Sequence, residues 1–252
     1  MSFLGRLRAP KRSPAGEQPP PQNQQYSLPL PASNTLPPRP QQPQSSPEPL
    51  PLYLSQPFVR STIITGNFKT LVTLPKYVDP NEWVGVNIFD FFNNLNYFYG
   101  VVSDYDTPET CPTMMCGPGV EFTWVDNNKR SVRLPAPTYI DYVFTWVQGL
   151  LDDENTFPTK TGREYPPNFA STAKHIYRQL LRVFAHIYHA QFPVILHLSL
   201  EAHWNALFAH FLAFGKEYDL LDLRDLRNPQ GSLQGGVAEL AERWREMRIL
   251  DV

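Results

Sequence analysis

The stretch from Asp79 to Tyr99 constrains the fold of this chain more than any other. Asp79-Pro80-Asn81-Glu82 is a helix start: the aspartate can cap, proline suits the first helical position, and Glu82 stands where a capping box puts its acid. Trp83, Val86, Phe89, Phe91, Phe92, Leu95 and Phe98 follow and are apolar around much of the helix circumference. A helix of this kind belongs in the middle of a bundle rather than on its rim. Gly100 is expected to end it.

The flanking sequence supplies its neighbours. Between Val120 and Leu134 the pattern changes to strand alternation, with Phe122, Trp124 and Val132 set against Asp126-Asn127-Asn128-Lys129, which predicts a small hairpin. Thr138-Tyr139-Ile140-Asp141 opens a second helix that runs to about Leu151, before Asp152-Asp153-Glu154. A loop with Pro158, Gly162, Pro166 and Pro167 leads to a third, from about Ser171 to Gln191. Pro193 is expected to break the chain, and a fourth helix carries His203, Trp204, Leu207, Phe208, Phe211 and Phe214. Four long helices with short links predict an all-α fold: an antiparallel four-helix bundle with a small β-hairpin and short accessory helices.

Composition divides the 252 residues into unlike parts, because 14 of the 27 prolines precede residue 52. Residues 1–52 are expected to form a disordered tail: from residue 9 they are rich in Pro, Gln and Ser, with too little apolar surface to offset the entropy of ordering them. Arg6, Arg8, Lys11 and Arg12 make its start basic. Residues 53–225 read as the helical domain, and residues 226–252 as a linker around Gly231–Gly236 and an amphipathic helix. In that helix Val237, Leu240, Ala241 and Trp244 recur at helical spacing. It is expected to pack on the domain, with docking to a partner as the alternative. Neither a signal peptide nor a membrane-spanning apolar run is found, so an intracellular place is expected. Cys111 and Cys116 give no disulfide framework, and a net charge of −2 argues against nucleic acid as the main partner.

Motifs for chemistry are lacking. There is no Gly-x-Ser-x-Gly elbow and no glycine loop of the phosphate-cradling kind. His186 with His189, and His203 with His210, lie at helical spacings that could face a common site. A hydrolase would need further ligand and base geometry that nothing else in the chain supplies.

Several blocks, in order, carry a resemblance. They include Thr110-Cys111-Pro112-Thr113-Met114, Phe184-Ala185-His186-Ile187-Tyr188-His189, Val72-Thr73-Leu74-Pro75 through Asn81-Glu82-Trp83, and Val86-Asn87-Ile88-Phe89-Asp90-Phe91-Phe92. Phe157-Pro158-Thr159-Lys160 through Pro167-Asn168-Phe169, and Glu201-Ala202-His203-Trp204-Asn205 with Leu220-Leu221-Asp222 behind it, continue the series. Over roughly residues 54–225 the chain resembles the Mob/phocein family of kinase coactivators, whose fold is a helical bundle. The family pattern is Cys-x4-Cys and, on a later helix, His-x4-His, a tetrahedral zinc set. In this chain the resemblance puts Asp106, Cys111, His186 and Gln191 in the four slots. Carboxylate is a tolerable zinc ligand, but a neutral Gln carbonyl is a poor one. The site is therefore expected to be degenerate and to hold no zinc, with His186 a core histidine; recruitment of His189 or Cys116 is the alternative that would restore a metal.

The resemblance also implies partners. Family members are noncatalytic proteins that bind the basic, helical N-terminal extension of NDR/LATS protein kinases and help to activate them. Glu82 and Asp90 match acidic positions of the family's kinase-contact face, while Asp79 either extends that patch or simply caps the helix. Val78 stands where some members carry another acid. A second family surface binds phosphorylated peptides of an upstream kinase through Lys-Arg-x-x-Arg; here the matching run is Arg178-Gln179-Leu180-Leu181-Arg182, and weak docking through Arg178 and Arg182 is expected. These departures, with Leu52 to Val59, resemble the fungal class that serves polarity and morphogenesis kinases. A cytoplasmic place, extending to the cell cortex, growth sites and nucleus, goes with that class. The alternatives are a phosphopeptide-reading adaptor of the mitotic-exit or Hippo type, and a phocein-like scaffold of a phosphatase–kinase complex.

Overall fold

The computed structural model describes residues 50–126, 128–159, 162–221 and 236–251. Residues 1–49 of the expected tail, 226–235 of the expected linker, and Asn127, Lys160 and Asp222 of the motifs above lie outside the described residues.

The described part is mostly helical, as the sequence predicts. Its long helices are α2 (Pro80–Val102), α3 (Ala136–Leu151), α4 (Phe169–His186) and α6 (Glu201–Glu217), accompanied by α1 (Phe68–Val72), α5 (Phe192–His197) and α7 (Val237–Glu246). Asp79 does cap α2. Its carboxylate accepts from the backbone N–H groups of Asn81 at 2.8 Å and Glu82 at 3.1 Å, two of the donors that a helix start leaves unpaired. Replacing Asp79 with Ala is expected to lower stability by about 1 kcal/mol, and with Asn hardly at all, because Asn caps equally well. Thermal unfolding of the two variants checks this.

α2 packs on α4, with α3 and α6 also against it. Phe91 has the rings of Tyr177, Phe211 and Phe214 at 5.9, 5.4 and 5.7 Å. Each fully buried aromatic of this sort contributes roughly 1.5–3 kcal/mol through removal of apolar surface from water. Tyr177 stacks on Phe211 at 4.1 Å and donates its hydroxyl to the Phe211 carbonyl at 3.0 Å, so α4 and α6 are joined by a buried, satisfied contact. Gly85 lets α2 approach Tyr165: a Cβ there would sit 2.5 Å from the Tyr165 hydroxyl.

Four local expectations need correction. The helix α2 continues through Gly100, whose helical geometry is undisturbed, and ends at Val102, where the Ser103 hydroxyl donates to the Gly100 carbonyl at 3.1 Å. Its circumference is not buried all round, since Val86 and Phe89 are each 49% exposed. α3 begins at Ala136, two positions before Thr138, because Pro137 fits its first turn. Pro193 does not break the helix. A continuous α-helix would press its ring against the carbonyl of His189; instead a π turn, Ile187–Gln191, takes up the extra width and α5 follows directly.

The expected hairpin is β3 (Trp124–Val125) paired with β4 (Ser131–Val132). Asp126 closes it by accepting from the N–H groups of Asn128 and Arg130 at 2.8 and 2.9 Å. A second antiparallel pair, β1 (Met114–Gly117) with β2 (Val120–Phe122), precedes it, with an irregularity between Met115 and Gly117. The helix α7 packs on the segment 52–60, where Trp244, fully buried, donates its indole N–H to the Val59 carbonyl at 2.8 Å.

Candidate functional site

The π turn determines where the polar cluster forms. His186 and Gln191 are five residues apart, which on an α-helix would leave them about 140° apart around the axis. The wider π turn brings both side chains to one side, facing Asp106 and Cys111 in the loop after α2. All four residues that the resemblance assigned to the metal slots therefore do meet. The ligand atoms of Asp106, Cys111 and His186 lie within 4.8 Å of one another.

Their hydrogen bonds define what the cluster is. His186 Nδ1 faces the Met115 carbonyl at 2.7 Å and Nε2 faces Asp106 Oδ1 at 3.1 Å, both side chains being fully buried. A ring pKa raised and an acid pKa lowered favour an imidazolium paired with a carboxylate, donating from both nitrogens. Burial alone would lower the His186 pKa; its hydrogen bonds with Asp106 and Cys111 and the carboxylate's charge outweigh that and raise it to about 9. Burial alone would raise Asp106, and here too the His186 hydrogen bond and charge prevail, holding it below its ordinary value. Tyr99 donates to Asp106 Oδ2 at 3.1 Å, and the Gln191 amide N–H donates to Asp106 Oδ1 at 3.4 Å and Cys111 Sγ at 3.6 Å. Carboxylate, thiol and imidazole would suit zinc in three positions. The fourth position is the poor one: Gln191 offers only a neutral amide, whose nitrogen faces the carboxylate and the thiol.

A second arrangement lies on the open side of α2. Glu82, Val86, Phe89, Asp90 and Tyr97 are exposed there, Tyr97 at 77%. Glu82 and Asp90 are about 12 Å apart along the axis and about 80° apart around it, with Val86 and Phe89 between them. Neither carboxylate has an ion pair among the described residues. The first turn of α2 also borders a cleft of about 600 Å³, lined by Asp79, Glu82, Pro158, Arg163, Glu164 and Tyr165 among others. On its other flank α2 borders a groove of about 380 Å³, lined by Ile63, Ile64, Asn94, Phe98, Leu200 and His203 among others. The sequence reading missed Val86, Phe89 and the groove. An aromatic helix read alone does not reveal which of its sides the fold leaves open.

Arg178 and Arg182 sit one turn apart on α4. Arg182 is half-buried and committed inward: Nη1 donates to the Tyr139 hydroxyl at 2.7 Å and to Gln179 Oε1 at 3.5 Å, and its guanidinium lies 4.4 Å from the centre of the Phe122 ring. Gln179, in the middle position, also accepts from the Tyr139 hydroxyl at 3.1 Å. Trp124, Trp146 and His175 complete a hollow of about 230 Å³ above this network. Burial first, and then the charges of Arg178 and Arg182, hold the His175 pKa below its ordinary value.

A helical bundle with an acidic and apolar open helix face, and a polar cluster that satisfies itself, has the build of a helical adaptor. The model of the Mob1/phocein family matches residues 60–229, and the chain belongs to that family. Its relatives include "Maintenance of ploidy protein mob2" of Schizosaccharomyces pombe, 53% identical over 178 residues, 71% of this chain and 73% of the relative. They include also the "CBK1 kinase activator protein MOB2" of Candida albicans, 53% identical over 176 residues, and that of Saccharomyces cerevisiae, 50% identical over 175 residues. Those two matches cover 70% and 69% of this chain but only 56% and 61% of the relatives' own lengths.

Proposed function

We propose that this chain is a noncatalytic coactivator that binds the N-terminal regulatory extension of an NDR/LATS-family protein kinase and favours its active arrangement, in cell polarity and morphogenesis signalling. The observation that carries the proposal is the open side of α2. Two carboxylates with no ion pair among the described residues bracket exposed Val86 and Phe89, which suits a basic, amphipathic helix laid along it. Asp79 extends the acidic end, and the groove at Phe98 and Ile63 takes apolar side chains from the same partner. Identity of about 50% to proteins named as kinase activators supports this reading. Activation requires only that the bound kinase extension prefer the active state.

The place proposed for it is the cytoplasm, reaching the cortex, growth sites and nucleus with its kinase; no described helix is long and apolar enough to cross a membrane. The polar cluster is proposed to work without zinc, as a cross-link between the loop after α2 and the end of α4. One equivalent of zinc in purified protein would overturn that. Phosphopeptide docking at Arg178 and Arg182 is proposed to be weak, since Arg182 is spent on Tyr139 and Phe122. A phosphothreonine peptide titrated by calorimetry is expected to bind more weakly than micromolar.

Affinity capture of the tagged chain from its native cell tests the main proposal. An NDR-type kinase whose activity rises on adding the purified chain is the expected result. Recovery of phosphatase subunits without kinase would instead identify a scaffold of the phocein kind.

A further inference from the structure

The groove beside α2 has one wall that does not belong to the bundle. Ile63, 58% exposed, and Ile64 lie on an irregular segment between the 3-10 turn Phe58–Arg60 and α1. Its first half is tied to α6: Asn205 Nδ2 donates to the carbonyls of Phe58 at 3.1 Å and Ser61 at 2.6 Å, and the Ile63 N–H donates to the Ala202 carbonyl at 3.3 Å. Beyond Ile63 the attachment changes. Among the described residues, the hydrogen bonds that 64–69 make outside their own neighbourhood go to Ile249 and Asp251 alone. The Gly66 N–H donates to the Ile249 carbonyl at 3.3 Å, and the N–H groups of Phe68 and Lys69 donate to Asp251 Oδ1 at 3.1 and 3.4 Å.

Asp251 thus serves as the cap of α1 from the far end of the sequence. Asn67, the residue in the capping position, makes no side-chain cap of its own. Gly66 holds a φ of +60°, the left-handed turn that carries the chain from Ile64 into α1, and a Cβ there would sit 3.4 Å from the Arg248 carbonyl. The segment 236–251 is itself anchored by Trp244 to Val59, by Arg243 Nη1 to the Leu54 carbonyl at 3.2 Å, and by burial of Ile249 and Leu250. It lies beyond residue 229, where the family match stops.

We propose that residues 236–251 set the position of the Ile63–Ile64 wall through Asp251 and Ile249, so that partner affinity at the α2 groove depends on Asp251, a positioning residue remote from the partner. This rests on the kinase-docking reading given above. Phe68 and Val72 bury α1 on α6, so without the cap it is the 64–67 turn and the wall it carries that would sample other positions, and apparent affinity falls in proportion to the time the wall is out of place. A wall in register one tenth of the time weakens binding about tenfold.

The test is a double-mutant cycle on the full chain, with the N-terminal extension of the Saccharomyces cerevisiae CBK1 kinase as the probe. Asp251→Ala and Ile63→Ala are each expected to weaken binding about tenfold, and the double variant no more than either alone, because both act through one wall. Asp251→Asn, which keeps the acceptor, is expected to restore wild-type affinity, and amide exchange at Gly66, Phe68 and Lys69 to quicken in Asp251→Ala only. Affinity unchanged in Asp251→Ala, or two effects that simply multiply, overturns the proposal. Failure of the unmodified chain to bind the probe would overturn the kinase-docking reading instead.

Discussion

Reversing both charges on the open face of α2, Glu82→Lys with Asp90→Lys, is expected to abolish kinase binding and leave the bundle folded. Charged pairs at well-matched interfaces couple by roughly 1.5–7 kcal/mol, and reversal replaces that attraction with repulsion of a basic partner. A loss of at least about a hundredfold in affinity follows even from the low end of that range for two sites. Folding should hardly notice. Both side chains are exposed and form no ion pair among the described residues, so each substitution lies in the class that moves stability by about 0.5 kcal/mol or less. Glu82 carries one addition: it stands in the first turn of α2, where a cation opposes the helix dipole at a cost of about 0.3–1 kcal/mol. Binding measured by calorimetry, beside the thermal midpoint, separates the two effects. If the double variant still bound and activated the kinase, the docking face would have to lie elsewhere.

The sequence made this face legible in part. Asp79 could be placed because capping is a local rule, and the cap is formed as expected; Glu82 and Asp90 are singled out by the family resemblance, the helical repeat adding only that they share one broad side of α2. Burial depends on neighbours. Val86 and Phe89 read as core because nothing local says that α1, α3, α4 and α6 leave one side of α2 uncovered. The same limit applies at the polar cluster. The family resemblance put Asp106, Cys111, His186 and Gln191 in a set of slots that spacing alone would not have found, and those residues converge. The partners that fix its chemistry, the Met115 carbonyl on an unforeseen strand and the Tyr99 hydroxyl near the end of α2, come from parts of the chain with no motif to announce them. The π turn was hidden for a related reason: Pro193 signals a break to any local rule, and only packing on both sides keeps the helix going with a wider turn. Asp251 is the extreme case, a cap separated by 183 residues from the amide it serves.

Removing the carboxylate of Asp106 is expected to be among the most damaging single changes in the molecule. It is buried, it accepts from His186, Tyr99 and Gln191 at once, and its loss leaves an imidazolium without a counter-charge. Breaking a buried pair in this way costs about 3–5 kcal/mol, a large share of the 5–15 kcal/mol that holds a domain together. Asp106→Ala should therefore lower the midpoint steeply, and His186→Ala should do so by a similar route through the abandoned carboxylate. The two penalties should not add, since they break one interaction. The pH dependence of folding carries the signature. His186 is raised in the folded state to about 9, so its contribution is complete below the unfolded value near 6.5 and is lost as pH rises through 9. Asp106 is lowered, so its contribution is complete above the unfolded value of about 3.9 and is lost as pH falls through the lower folded value. Stability should thus be greatest between about pH 4 and 6.5 and decline on the alkaline side. In Asp106→Ala the isolated imidazole titrates at or below its ordinary value, the alkaline decline disappears, and the gap between variant and wild type narrows as pH rises. Denaturant unfolding of both proteins across that range measures it; an alkaline slope that persisted in Asp106→Ala would mean that the pair does not carry the stability assigned to it.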